Sequence, residues 1–215
     1  MTTCTSVSRL PIAVGILAFT AGFCCSCGLL PVEATTVPPT VPSTLSEVID
    51  ALSSYSAEAR ITAALALSEY GKEAVVAVPA LIQNLHYEAN SDVRRAAAIA
   101  LGELGPDGRS AVSDLTHVLQ TDKAVRVRIS AAEALGRMDA SVSVPALASS
   151  LYAEDTELAI VAAVSISLIT GEDSPDADSQ HGYRVNEEGI PLIVIAARQW
   201  WEAEGKDQDW AGGSN

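Results

Sequence analysis

The chain is poor in cysteine where a thiol would be useful, poor in aromatic residues and poor in positive charge. All four cysteines, Cys4, Cys24, Cys25 and Cys27, fall within the first 27 of its 215 residues. The remainder therefore has no thiol for a disulfide, a redox pair, a cysteine zinc site or a cysteine nucleophile, and its stability must come from packing. Aromatics make up 5% of the chain against 48% hydrophobic residues, so the core is built from Ala, Leu, Val and Ile, which suits close helix-on-helix packing and an all-α fold. Only 13 Lys and Arg face 27 Asp and Glu; Arg9 is the one charged residue up to Cys27, so beyond it 12 basic and 27 acidic residues give a net charge of −15. Such a surface repels phosphate backbones, which argues against nucleic acid as a partner.

Catalytic signatures are also missing. The three histidines, His86, His117 and His181, form no His-Glu pair, no His-x-x-x-His pair and no cluster with cysteine, so no metal site is expected. There is no glycine-rich phosphate loop after a strand and no Gly-x-Ser-x-Gly elbow. Glu187-Glu188 reads as a solvated pair in a loop, and Gly105-Pro106-Asp107-Gly108 as a turn. The expectation is a chain without catalytic residues or cofactor.

What is present begins with Leu10 to Phe23, an uncharged apolar run preceded by Arg9 and followed by small residues. At about 14 residues it is shorter than the roughly 20 that a membrane-spanning helix needs, and it has the layout of a secretory signal peptide. Cys24-Cys25-Ser26-Cys27 resembles a bacterial lipobox, which implies cleavage and lipidation at Cys27, and Gly28 after it implies sorting toward an outer membrane. Pro31 to Thr44 holds four prolines among Thr and Val, cannot keep helical hydrogen bonds and reads as an extended tether. The expected divisions are a signal segment over 1–27, a linker over 28–43, a helical domain over 44–204 and a flexible tail over 205–215.

Within the helical domain the sequence repeats. Ala59 to Leu67, Val93 to Leu101 and Val127 to Leu135 superimpose, with Leu67, Leu101 and Leu135 equally spaced. A second half repeats as Val78-Pro79-Ala80-Leu81, Val112-Ser113-Asp114-Leu115 and Val144-Pro145-Ala146-Leu147. Each half carries an apolar stripe of helical period. Units are expected over about 55–86, 90–120, 123–151 and 155–170, with Thr44 or Ser46 capping an initial helix and a closing helix over about 188–204 that brings Trp200 or Trp201 onto the last repeat. Gly71, Gly102, Gly105 and Gly136 lie near the ends of the first helices, where helix termination and tight contact call for glycine.

Val93-Arg94-x-x-Ala-Ala-x-Ala-Leu-Gly102, its counterpart Val127 to Gly136 and the Pro-Ala-Leu helices resemble the HEAT-like repeats that also occur in phycobilisome lyases. The resemblance implies an α-solenoid of about four helix-turn-helix units with capping helices. It does not extend to the di-iron hydroxylases built on such repeats, which need repeated His-Glu pairs.

Arg60, Arg94 and Arg128 recur at one helical position and read as a structural ladder, with Glu58, Asp92 and Glu157 as the nearby acids. The surface expected to bind is that of the second helices, and its candidate partner-binding residues are Gln83, Asp114, His117 and Ser149. The function expected is a non-catalytic scaffold that binds a protein partner, exported and held on the periplasmic side of a bacterial envelope by a lipid on Cys27. The alternative is a lyase-like chaperone or enzyme accessory subunit that handles a cofactor or a modified partner, and a ligand-sized pocket with converging polar groups would mark it.

Overall fold

A computed structural model of the chain describes residues 44–172 and 184–211. The signal segment, Cys27, the linker over 28–43 and His181 lie outside the described residues.

Helix formation follows local chemistry closely. Helix α1 (Leu45–Ala51) starts at a capping box, in which the Glu47 amide donates to Thr44 Oγ1 and the Thr44 amide to Glu47 Oε2, so two amides without helical partners are satisfied reciprocally. Ser56, Asn90 and Asp155 cap α2 (Ala57–Ala66), α4 (Ser91–Glu103) and α8 (Thr156–Thr170) in the same spirit. Pro79 and Pro145 sit in the first turns of α3 (Val78–Tyr87) and α7 (Val144–Ser150), where a missing amide proton costs nothing. The remaining helices are α5 (Val112–Thr121), α6 (Val125–Arg137) and α9 (Leu192–Ala203). Three 3-10 stretches, Leu67–Ala77, Gly105–Ala111 and Ser141–Ser143, link the two helices of a unit. Among the described residues there is no strand, only an isolated bridge between Val185 and Pro191. None of these helices is long and apolar enough to cross a membrane.

The helices form two layers. The first helices α2, α4, α6 and α8 pack in sequence, each on the next, and the second helices α3, α5 and α7 form the other layer, each leaning on its neighbours in both layers. The core between them is leucine and alanine: Leu67, Leu101 and Leu135, the residues that mark the repeat period, are fully buried together with Leu81, Leu115 and Leu147. Small residues set the approach of the first helices. A Cβ on Gly102 would lie 2.9 Å from Ala134 Cα, and one on Gly136 would lie 2.7 to 3.0 Å from Ser165, so glycine is what permits α4 to meet α6 and α6 to meet α8 at this distance.

The C-terminal helix closes the array. Ile193, Val194 and Ala197 of α9 are buried, and α9 packs on α8 and α7. Arg198 donates from Nε and Nη2 to the Leu151 carbonyl and lies over the Tyr152 ring, 4.9 Å from its centroid. The start of the expected tail, 205–211, is instead packed structure. Gly205 is buried beneath Trp200 and Trp201, and Trp210 stacks edge-on against Trp200 while its indole N–H donates to the Gly205 carbonyl at 2.8 Å.

Candidate interaction site

The arginine ladder is present, but its acids differ from those expected. Glu58, Asp92 and Glu157 lie in the first turns of α2, α4 and α8, where a carboxylate complements the positive end of the helix; none of them pairs with a ladder arginine. The partners come from the loops after the second helices. Arg60 donates from Nη1 to the carbonyls of Ser54 and Tyr55 and from Nη2 to Glu88 at 2.8 Å. Arg94 repeats this one unit on: Nη1 donates to the carbonyls of Glu88 and Ala89, and Nε and Nη2 grip Asp122 at 2.7 and 2.9 Å. Each arginine therefore ties its own unit's entry turn to the exit of the next second helix. Glu88 and Asp122 stand at the same spacing as Leu67 and Leu101, so the period that revealed the leucines also marks these acids.

Their electrostatics follow from those contacts. The Asn90 amide, donating to Glu88, holds that carboxyl below its ordinary range; burial opposes the effect, and the Arg60 charge and hydrogen bond support it. Burial pushes the Asp122 carboxyl up, but the bonds from Arg94 and the Ala124 amide, with the charges of Arg94 and Arg128, outweigh it and hold the group low. The Asp122 hydrogen bonds in turn raise Arg94, against the effect of burial. Arg128 completes the set by position only: its Nε is shielded from solvent and has no hydrogen-bond acceptor among the described residues.

Beside this ladder the second helices expose a furrow. His86 near the end of α3 meets Asp114 at the start of α5, with Nε2 and Oδ1 2.6 Å apart, and its ring lies 5.8 Å from that of His117. Asp114 and His117 are three residues apart on α5, so one helical face presents both to α3. A cavity of about 410 Å³ runs from His86 and His117 past Thr121 to Arg94, Asp122 and Lys123. A second, of about 280 Å³, is lined by Gln83, Asn84, Tyr87 and Glu88. Both contain Glu88 and both are open to solvent, so they form neighbouring parts of one shallow surface. Tyr87 stands on it, 86% exposed.

Of the residues singled out in the sequence, the structure brings Asp114 and His117 together at the first cavity's edge and places Gln83 in the second. Ser149 does not join them; its hydroxyl donates to the Pro145 carbonyl one turn back on α7. His86, Tyr87, Lys123 and the two ladder acids complete the surface, and only the acids carried a periodic signal. Among the described residues no group of His, Cys, Asp and Glu side chains is arranged to hold a metal ion.

Residues 78–167 match the family model of HEAT repeats. The matched segment runs from α3 into α8 and so contains the furrow and two of the three ladder arginines. Solved structures similar to the chain include the complex of CpcE and CpcF of phycocyanin lyase from Nostoc sp. PCC7120, 24% identical with a TM-score of 0.49 over 68% of this chain and 71% of that one. An engineered protein is 22% identical with a TM-score of 0.47, over 59% of this chain and 67% of that one. No curated protein matches the chain.

Proposed function

We propose that this chain is a non-catalytic scaffold that binds a protein partner along the surface of its second helices. The observation that carries the reading is the open, ring-lined furrow. Tyr87 stands exposed beside His86 and His117 on a rigid two-layer support, and an exposed tyrosine is among the residues that protein interfaces favour. The HEAT-repeat match supports the same reading. A cofactor-handling role calls for an enclosed pocket, whereas the cavities of about 410 and 280 Å³ are shallow and open.

The test is site-specific photocrosslinking in the producing cell. A photoreactive residue at Tyr87 or Gln83 is expected to give one discrete crosslinked protein, and the same residue at Lys72, in the link between α2 and α3, none. Equal products from both positions, or none from either, would overturn the reading. Replacing His117 by Glu should weaken the crosslink at Tyr87.

Export and a lipid anchor belong to the same proposal. Their support is the apolar run Leu10 to Phe23, the small residues before Cys27 and the Pro/Thr tract that would hold the helical domain away from a membrane. Mass spectrometry of the membrane fraction is expected to find a mature chain that begins at lipidated Cys27. An intact N-terminus, or a start elsewhere, would refute the anchor.

A further inference from the structure

The ladder has three arginines at one register and only two carboxylates paired with them. Counted from the next first helix, the acid stands three residues before it: Glu88 before Ser91 and Asp122 before Val125. The same position before Thr156 is Ala153; Glu154 beside it, ten residues after Val144 as Glu88 is after Val78, is exposed and makes no ion pair among the described residues. Arg128, which should reach this position, makes no hydrogen bond and no ion pair among the described residues, and its half-buried side chain holds a solvent-shielded Nε with no acceptor. Arg60 also has a shielded Nε without an acceptor, but its two Nη groups are bonded to Ser54, Tyr55 and Glu88. The charge of Arg128 is felt at Asp122, yet that carboxylate is already gripped by Arg94. A guanidinium donor left unbonded out of water is costly, and a carboxylate is the group whose two oxygens fit it.

The surroundings of Arg128 have the same polarity. The entry of α6 has no side-chain cap and no acidic residue in its first turn. Lys123 stands just before this entry and has no carboxylate within ion-pair distance among the described residues; Arg126, two residues before Arg128 on the helix, projects from another face. Two cations without a contacting carboxylate, Lys123 and Arg128, thus stand at one helix entry of a chain whose net charge is −14. Lys123 also lines the furrow between α3 and α5, so this entry is continuous with the surface described above.

We propose that Arg128, with Lys123 just before the same helix, is an open rung of the ladder that takes an acidic side chain of the docking protein. Two copies of the same arrangement in the molecule already bind Glu88 and Asp122, so the chain itself supplies the template for the ligand. The partner's carboxylate would stand where an acid in place of Ala153 would have closed the ladder from within.

The site rests on the scaffold reading for the identity of its partner, but it can be tested without that partner. In the full chain, the arginine Nε–H resonances are followed by NMR while acetate, or a capped Glu-Glu-Asp peptide, is added at constant ionic strength. Arg128 is expected to shift saturably while Arg60 and Arg94 stay still. The peptide should half-saturate at up to roughly fivefold lower concentration than acetate, because Lys123 adds a surface ion pair. Arg128→Gln should abolish the effect while the chain stays folded, since no hydrogen bond among the described residues is lost. Ala153→Glu should abolish it by filling the rung from inside. An Arg128 shift no larger than those of Arg60 and Arg94, peptide binding that survives Ala153→Glu, or inorganic phosphate that binds as tightly as the peptide would each overturn the proposal. Failure here with a crosslink retained at Tyr87 would remove the rung and leave the scaffold reading in place.

Discussion

Two ion pairs of similar length have very different exposure, and the difference decides their worth. The Arg94 and Asp122 side chains are 14% and 7% exposed, whereas Arg137 and Glu103 are 44% and 38% exposed. Asp122→Asn leaves a largely desolvated guanidinium with a neutral partner and is expected to cost about 2 kcal/mol, between the penalties for a lost charged hydrogen bond and a broken buried pair. Glu103→Gln should cost less than about 0.5 kcal/mol, because solvent already screens that pair. Urea denaturation of both variants checks the contrast, and equal effects would contradict it. The same acids predict a pH dependence. Glu88 and Asp122 both titrate below their ordinary values in the folded chain. Their stabilisation is therefore complete well above those ordinary values and is lost as pH falls through them toward the lowered ones. Stability should decline as pH falls below about 5, and Asp122→Asn should flatten that decline. An unchanged slope in the variant would assign the acid sensitivity to other groups.

At the scale of helices, glycine sets how closely neighbouring repeats approach. Gly136→Ala offers α6 about 1 kcal/mol of helix propensity, but the new Cβ would lie 3.0 Å from Ser165 Cα, which is backbone and cannot rotate away. Overpacking of this kind costs about 1 to 3 kcal/mol. A net loss of up to about 2 kcal/mol is expected, read as a lower thermal midpoint; a stabilised variant would show that α6 and α8 can separate without loss. This contact also marks how far the sequence was readable. The helix pairs were legible because leucine recurs at a constant period through Leu67, Leu101 and Leu135, and the need for Gly102 and Gly136 because they end matching helices. The ladder's acids were misread: the eye pairs Arg94 with Asp92, its near neighbour in sequence, whereas the chain pairs it with Asp122 beyond the next second helix, across a stack that local spacing does not reveal. His86 and Tyr87 gave no signal of site membership, since a histidine and a tyrosine at one helix's end acquire a role only when α5 is laid alongside. The packing of Trp210 onto Trp200 escaped for the same reason, because 205–211 is polar and contains no apolar stripe.

For the molecule as a whole, stability in a stack of repeats is the sum of each unit and its interface with the next, so an end unit depends on whatever covers its outer face. Here α8 would present Ala163 and Ile166 to water without α9, whose Ala197 and Trp200 stand against them. The same helix holds the Leu151 carbonyl through Arg198. Removing residues 190–215 therefore strips an apolar face from α8 and a charged hydrogen bond from the end of α7. The expected result is a lower thermal midpoint together with early amide exchange in α7 and α8, while α4 and α5 keep protection close to that of the full chain. Uniform loss of protection from α2 to α8 would mean that the array unfolds as one unit and that α9 stabilises all of it. Unchanged protection in α8 would mean that α9 is a passenger, and the tryptophan cluster would then have to be explained by something other than closure of the stack.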